Sequence, residues 1–342
     1  MITNIQLLRG VAALMVVVFH LVIKLQPFGF DGSQVSFLQG GVDIFFVISG
    51  FIMVHISRER ERSGGQFFAD RIIRIVPLYW LLTLVAYCSG AAETRPNGDL
   101  LRSLAFVPSG SPPLFNPLVD GGWTLNLEMY FYVIFAISLV VAREEKQRFA
   151  IVVGALLAVA AASLWVPGRY WPFYGNEIVF EFVIGMALAR SAERLKSIGP
   201  RAAWCMVLVG GLLIGLEPFD RLGSRLLSDG LPAGLIVAAA ISLDAAGKRV
   251  AAPAALLLGA ISYALYLSHV LVFEAINGTF AQSNLTFGPA LMAGFLVLAL
   301  MIAVLTAWLI HVALEQPATK LLKRLKLERL WGLASRPGQN LK

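Results

Sequence analysis

Apolar residues run along this chain in stretches far longer than an amphipathic pattern needs. Ten can be marked, at about 5–23, 40–57, 72–90, 123–142, 149–166, 174–190, 202–217, 231–244, 254–276 and 289–314. Stretches near twenty residues are what a helix needs to cross a bilayer. The eighth, about fourteen residues, is the shortest for a crossing. The pattern predicts an all-α, polytopic transmembrane helical bundle of about ten membrane-spanning helices. The first stretch lacks a basic leader and a small-residue cleavage site, so it reads as a retained span.

Composition agrees. Of 342 residues, 58% are hydrophobic and 14% charged; soluble domains carry about 25% charge. The net charge of +7 does not indicate a nucleic-acid partner, because of where the cations lie. If the N-terminus is cytoplasmic, the inner segments 58–74, 143–148, 190–201, 248–249 and 320–342 hold 21 of the 28 Lys and Arg residues. The outer segments hold 6, and Arg9 is the last. This is the positive-inside distribution, and it predicts both termini in the cytoplasm, with anionic lipid as a secondary partner. The tail 319–342, with its ATKLLKRLKLERLWGLA segment, reads as a basic amphipathic cytoplasmic helix following a membrane domain over 1–318. Cys88 and Cys205 fall at opposite ends of their spans, so no disulfide is expected. Four scattered histidines and no paired ligand motif argue against a metal site.

Polar residues inside the spans are the candidates for chemistry, because charge in a membrane is costly and tends to mark function. Arg9 and His20 are eleven residues apart in the first span, about three turns plus ~20°, so they leave one helix face some 16 Å apart. That suits a long ligand with an anionic end at Arg9 and a reactive end at His20, although Arg9 also lies near enough to the inner interface to snorkel. His20 is the leading general base. Arg71 and Arg74 are i and i+3: they either grip a diphosphate or belong to the positive-inside pattern. Glu128 and Glu181 either polarise an acceptor hydroxyl or orient a histidine, or are carboxyls paired within the bundle. Glu177, Asp43, His269 and Glu274 share the outer half with them. Ser49-Gly50 reads first as a close helix contact and second as a serine near a thioester. Asn126 and Ser49 are the candidates for oxyanion donors. Trp123, Tyr130 and Tyr132 read as an interfacial aromatic belt ahead of a sugar platform. Glu315 with Pro317 reads as a helix terminator or as a partner for the arginines. The proline-rich outer loop 91–122 either caps an outer cavity or is a solvated connector.

Taken in order, LLRGVAALMVVVFH, GGVDIFFVISGFIM, RIIRIVPLYW, WTLNLEMYFY, EFVIGM, ISYALYLSH and the terminal Glu315–Pro317 resemble the membrane-bound acyltransferase-3 family, most of all its exopolysaccharide O-acetyltransferase branch. The resemblance covers nearly the whole chain. It implies an acyl-transfer site among about ten helices in a bacterial inner membrane. The implied donor is acetyl-CoA, or another acyl-CoA, loaded from the cytoplasm. The implied acceptor is a hydroxyl of a polysaccharide or lipid-linked sugar at the outer face. It gives His20 the role of base and makes Arg9, Arg71 and Arg74 donor contacts. The competing readings are a proton-coupled transporter or flippase of a lipid-linked sugar, relaying protons through His20, Glu128 and Glu181, and a non-catalytic partner of a polysaccharide assembly. The absence of paired broken helices weakens the transporter reading. The oligomeric state is not readable from sequence.

Overall fold

A computed structural model describes residues 2–26, 32–59, 63–91, 98–109, 115–216, 223–281 and 289–334. Every element among them is helical. In chain order they are α1 (Thr3–Lys24), α2 (Gly40–Glu59), α3 (Gly64–Ala86), the short α4 (Gly98–Leu104), α5 (Gly122–Val141) and α6 (Glu145–Trp165). Next come α7 (Trp171–Tyr174), α8 (Phe180–Arg190), α9 (Ala192–Lys196) and α10 (Pro200–Leu216). The last four are α11 (Leu231–Ala245), α12 (Pro253–Ala281), α13 (Pro289–Ile310) and α14 (Gln316–Ala334).

All ten apolar stretches are helical, but among the described residues only eight helices are long and apolar enough to cross a membrane. The shortfall is not where the sequence suggested. The eighth stretch is full length, because a π turn at Leu226–Gly230 runs directly into α11. The sixth is the broken one. Asn176 accepts from Ile178 N–H (3.0 Å) and opens a 3-10 turn at Glu177–Val179, which leaves α8 with 11 residues. The seventh, α10, has 17. The protein is a multi-pass membrane protein.

Two close helix pairs set the geometry. Glycines in α2 and α8 let the backbones touch: a Cβ on Gly185 would lie 2.0 Å from the Val47 carbonyl oxygen, and one on Gly50 would lie 2.1 Å from that of Phe182. Likewise α1 and α12 meet at Gly10 and Gly259, where a Cβ on Gly259 would lie 2.2 Å from Gln6 O. Small residues at a crossing are the usual way for membrane helices to gain contact area. The α1–α12 contact brings Ser262 and His269 of α12 alongside Arg9 and His20 of α1.

Polar ties join helix ends at one end of the bundle. Asn4 N–H donates to Asp244 (3.0 Å), Arg58 binds Glu145 with two nitrogens at 2.6 Å each, and Lys326 binds Asp70 (2.7 Å). The start of α1 and the tail helix α14 thus share this end. Glu315 and Pro317 do not terminate a helix, contrary to that expectation. A π turn at His311–Glu315 carries the chain from α13 into α14, and a widened turn tolerates a proline that lacks an N–H.

Part of the 91–122 loop is described, and that part is packed. Ser103 accepts from Leu118 N–H (3.1 Å), Trp80 donates to Leu104 O (2.8 Å), and Phe115, Leu118 and Val119 are buried. Here the loop is a cap, not a solvated connector. Residues 92–97 and 110–114, including Arg95, Pro96, Pro112 and Pro113, lie outside the described residues, as does Arg221.

Candidate active site

Three of the four expected donor contacts meet in one place, and the fourth joins them. Arg9, Arg71, Arg74 and Ser49 all line a cavity of about 250 Å³ between α1, α2, α3, α5 and α12, together with Glu128, Tyr132, Ser262 and Tyr263. The helical repeat explains the convergence. Arg71 and Arg74 are one turn apart on α3, and Glu128 and Tyr132 one turn apart on α5.

The polar groups in the cavity are graded from fixed to free. Arg9 is held on one side, donating to Gln6 Oε1 (2.9 Å) and Ser262 Oγ (3.1 Å). Glu128 accepts from Ser49 Oγ (2.8 Å) and from the Tyr132 hydroxyl on the same oxygen. Its charge acts on Arg9 and Arg71. Tyr132 is therefore a cavity residue and not part of an interfacial belt, because the i, i+4 spacing turns its hydroxyl inward onto Glu128. Ser49 and Gly50 divide the two roles expected of them: the serine faces the cavity and the glycine takes the helix contact. Arg71 lies over the rings of Phe67 (5.8 Å) and Tyr132 (6.0 Å), and its Nε is buried without a hydrogen-bond partner. A buried guanidinium nitrogen with no acceptor is costly. An anion entering the cavity would satisfy it.

His20 does not line this cavity. It lies beyond the cavity's far end, where Thr124 and Tyr266 share a hydrogen bond (2.9 Å) and the Tyr266 ring packs against Phe45 (5.7 Å) and His269 (6.1 Å). The open run from arginines to imidazole that the Arg9–His20 spacing suggested is closed here by an aromatic layer. The spacing alone carried no information about what α12 and α2 place between the two residues.

Around His20 the hydrogen bonds determine the protonation pattern. His269 Nδ1 faces Leu265 O (3.1 Å), and His20 Nδ1 faces Val16 O (2.9 Å). Carbonyl oxygens only accept, so each Nδ1 carries the hydrogen. His269 Nε2 is then a lone pair, and at 3.3 Å it takes the weaker branch of the single His20 Nδ1–H, whose main acceptor is Val16 O. What remains on His20 is an unprotonated Nε2 on a partly exposed ring. From the sequence His269 is only one of several polar residues in the outer half of the spans; the structure places it directly behind His20. Asp120 was missed altogether. It ends the packed loop segment, is bonded by Asn116 Nδ2 (2.7 Å), and its charge acts on His20. Nothing in the sequence links residue 120 to residue 20, because their electrostatic coupling depends on the loop folding back.

Glu181 is in neither group. It is fully buried at the start of α8, neither carboxylate oxygen has a hydrogen-bond partner, and it faces Gly230. Nearby, Arg225 grips Asp43 through two nitrogens at 2.9 Å each, and Glu177 accepts from Ser224 Oγ (2.7 Å). Asp43, in the first turn of α2, is thus an ion-pair partner. Asn126 is buried with both amide atoms unpartnered, and it does not line the cavity. Among the described residues no group of three or more His, Cys, Asp or Glu side chains could hold a metal ion.

Comparison with known proteins identifies the family. The model of the acyltransferase-3 family, described as an acyltransferase domain, matches residues 2–312. The exopolysaccharide production protein ExoZ of Rhizobium meliloti is 36% identical over 335 residues, covering 90% of this chain and 97% of the relative. Acyltransferase MdmB of Streptomyces mycarofaciens is 26% identical, with 83% of this chain and 81% of the relative covered. Peptidoglycan O-acetyltransferase OatA of Listeria monocytogenes is 27% identical over 77% of this chain, but only 48% of its own length is covered. No solved structure matches. A family match across nine-tenths of the chain, on a helical bundle with an arginine-lined cavity, makes this protein a membrane acyltransferase of the acyltransferase-3 family.

Proposed function

We propose that the protein moves an acetyl or other short acyl group from cytoplasmic acyl-CoA to a hydroxyl of an exopolysaccharide or lipid-linked sugar at the outer face of a bacterial inner membrane. The observation that supports this best is the unsatisfied Arg71 in a cavity with three arginines and a single carboxylate. Such a site selects a multivalent anion, and the diphosphate of coenzyme A is one. The names of the relatives, one an exopolysaccharide production protein and one a peptidoglycan O-acetyltransferase, favour a carbohydrate acceptor.

On this reading Arg9, Arg71 and Arg74 hold the donor's diphosphate, and Glu128 keeps the guanidinium groups apart and oriented. The pantetheine arm runs along α1 toward His20, and Tyr266 and Phe45 part to let it through. His20 Nε2 takes the proton of the acceptor hydroxyl. That oxygen bonds to the acyl carbon, the carbon–sulfur bond breaks, and His20 returns its proton to the departing thiolate. Asp120 offsets the positive charge that His20 carries between the two transfers, and His269 holds the ring. Holding both substrates in register supplies much of the acceleration. Glu181 supports the site through the α2–α8 contact.

The test is transfer from labelled acetyl-CoA to polysaccharide by purified protein, wild type beside His20→Ala. Transfer by the wild type and none by the variant is expected. Equal transfer by both, or none by the wild type, would defeat the reading. A flippase would instead move lipid-linked sugar without consuming acetyl-CoA.

A further inference from the structure

A second cavity, of about 590 Å³, opens at the end of the bundle that carries the helix ties, and four arginines line it: Arg58, Arg143, Arg148 and Arg190. They come from three separate places in the sequence, the end of α2, the α5–α6 junction and the end of α8. Only one carboxylate, Glu145, lines the cavity with them. Arg58 and Arg190 already bind Glu145, at 2.6 and 3.5 Å, and Arg148 Nε donates to Ala142 O (3.0 Å). Arg143 makes no hydrogen bond or ion pair among the described residues. By count the cavity keeps three positive charges in excess. The guanidinium of Arg190 also sits over Phe149, 4.6 Å from the ring centre, and a guanidinium held on an aromatic ring can offer another face to a planar base.

Arginines that only record membrane topology have no reason to turn toward one another, since like charges repel and water is close by. Here they converge. The cavity also adjoins the arginine site described above. Met53 lines one and Val54 the other; Tyr132 lines one and Phe135 the other. Three residues along α5 are about 5 Å of rise. Between them stands the buried Phe67 ring, 6.1 Å from Tyr132 and 5.0 Å from Phe135, with Arg71 on its face.

We propose that this second cavity binds the 3′-phosphoadenosine end of the acyl-CoA donor. The 3′-phosphate and the diphosphate of coenzyme A are separated by a single ribose, and the two basic cavities are separated by a single aromatic layer. Arg143 and Arg148 receive the 3′-phosphate, and Arg190 stacks on the adenine. The proposal rests on the donor assigned under Proposed function and adds a selectivity that assignment does not require. The donor must carry its 3′-phosphate.

The experiment measures KM for acetyl-CoA and for 3′-dephospho-acetyl-CoA, in the wild type, in Arg143→Gln with Arg148→Gln, and in Arg201→Gln, an exposed basic position outside the cavity. Losing charge-assisted phosphate contacts costs about tenfold or more in affinity. The wild type should therefore show a KM about tenfold higher for the dephospho donor. The double variant should show that higher KM with both donors and an unchanged kcat, and Arg201→Gln should behave as wild type. A variant effect equal for both donors, or no effect on either, overturns the proposal. So does an effect that appears only in nanodiscs containing phosphatidylglycerol, which would assign the cavity to a lipid headgroup. If the wild type does not use acetyl-CoA at all, the function reading fails separately. In that case calorimetry with adenosine 3′,5′-bisphosphate against adenosine 5′-monophosphate decides the cavity on its own: preference for the bisphosphate, lost in the double variant, supports it, and no preference overturns it.

Discussion

At the residue scale the site depends on two unlike kinds of ionisable group, one needed neutral and one needed charged. In the proposed mechanism His20 needs a free Nε2, and the Val16 and His269 contacts at Nδ1 are consistent with one. Replacing His20 by Ala should lower kcat by about 10²–10⁴-fold, the usual contribution of a positioned base, with donor KM changed little. His269→Leu removes the acceptor behind the ring and should lower kcat about tenfold, as loss of a supporting partner commonly does. His269→Gln keeps an acceptor and should recover most of the rate. If both variants fall equally, His269 is packing and no more. Arg71→Lys keeps the charge but loses the planar fork, so donor KM should rise about tenfold as it does for Arg71→Ala; rescue by lysine would argue against bidentate phosphate contact. His20, Arg9, Arg71 and Arg74 stood out in the sequence because each is an ionisable group in an apolar run. Asp120 and the His20–His269 pair did not, because both matter only through residues far apart in the chain.

Helices position these residues by approaching one another more closely than ordinary side chains permit. At the α2–α8 crossing each backbone occupies the space where the partner's Cβ would stand. Gly185→Val should cost at least ~1–3 kcal/mol from overpacking. A lower midpoint in a thermal shift assay in detergent, with lost transfer, is the expected result, and an unchanged midpoint would show that the crossing yields. Local sequence conveyed the helices but not where they break. Asn176 as a cap and the π turns at Leu226–Gly230 and His311–Glu315 are decided by partners. Glu177 is drawn off toward Ser224, and His311 donates to Glu315 (2.7 Å) while accepting from Gln316 (2.9 Å). The flanking residues do not report the Glu177–Ser224 contact, and the His311 contacts, though local, leave no mark on the hydrophobic pattern.

For the whole molecule, the charge asymmetry and the helix-end ties agree in direction. Arg58 with Glu145, Asn4 with Asp244 and Lys326 with Asp70 lie at the basic end, which the positive-inside pattern assigns to the cytoplasm. Reporter fusions at either terminus should therefore both read cytoplasmic, and a cysteine-labelling reagent that cannot cross the membrane should reach Cys88 from the outer side of whole cells and not Cys205. Labelling of Cys205 alone would invert the assignment. The polarity matters for the proposed chemistry: with the basic end cytoplasmic, both arginine cavities would face the side where coenzyme A is made and His20 the side where polysaccharide is exported.

The sequence alone determined that this chain enters a membrane as a helical bundle, and it supplied the charge bias and the in-span ionisable groups on which the proposed orientation and transfer rest. Those properties follow from quantities summed or spaced along one dimension: apolar length, the bias of cations among loops, and helical phase. Only the tertiary structure decided that the arginines share a cavity with Glu128 and Ser49, that an aromatic layer separates them from His20, and that His269 stands behind the imidazole. Those depend on which helix faces lie against each other, and in a membrane that choice turns on close backbone contact and a few polar ties, with little hydrophobic gradient to signal it in advance.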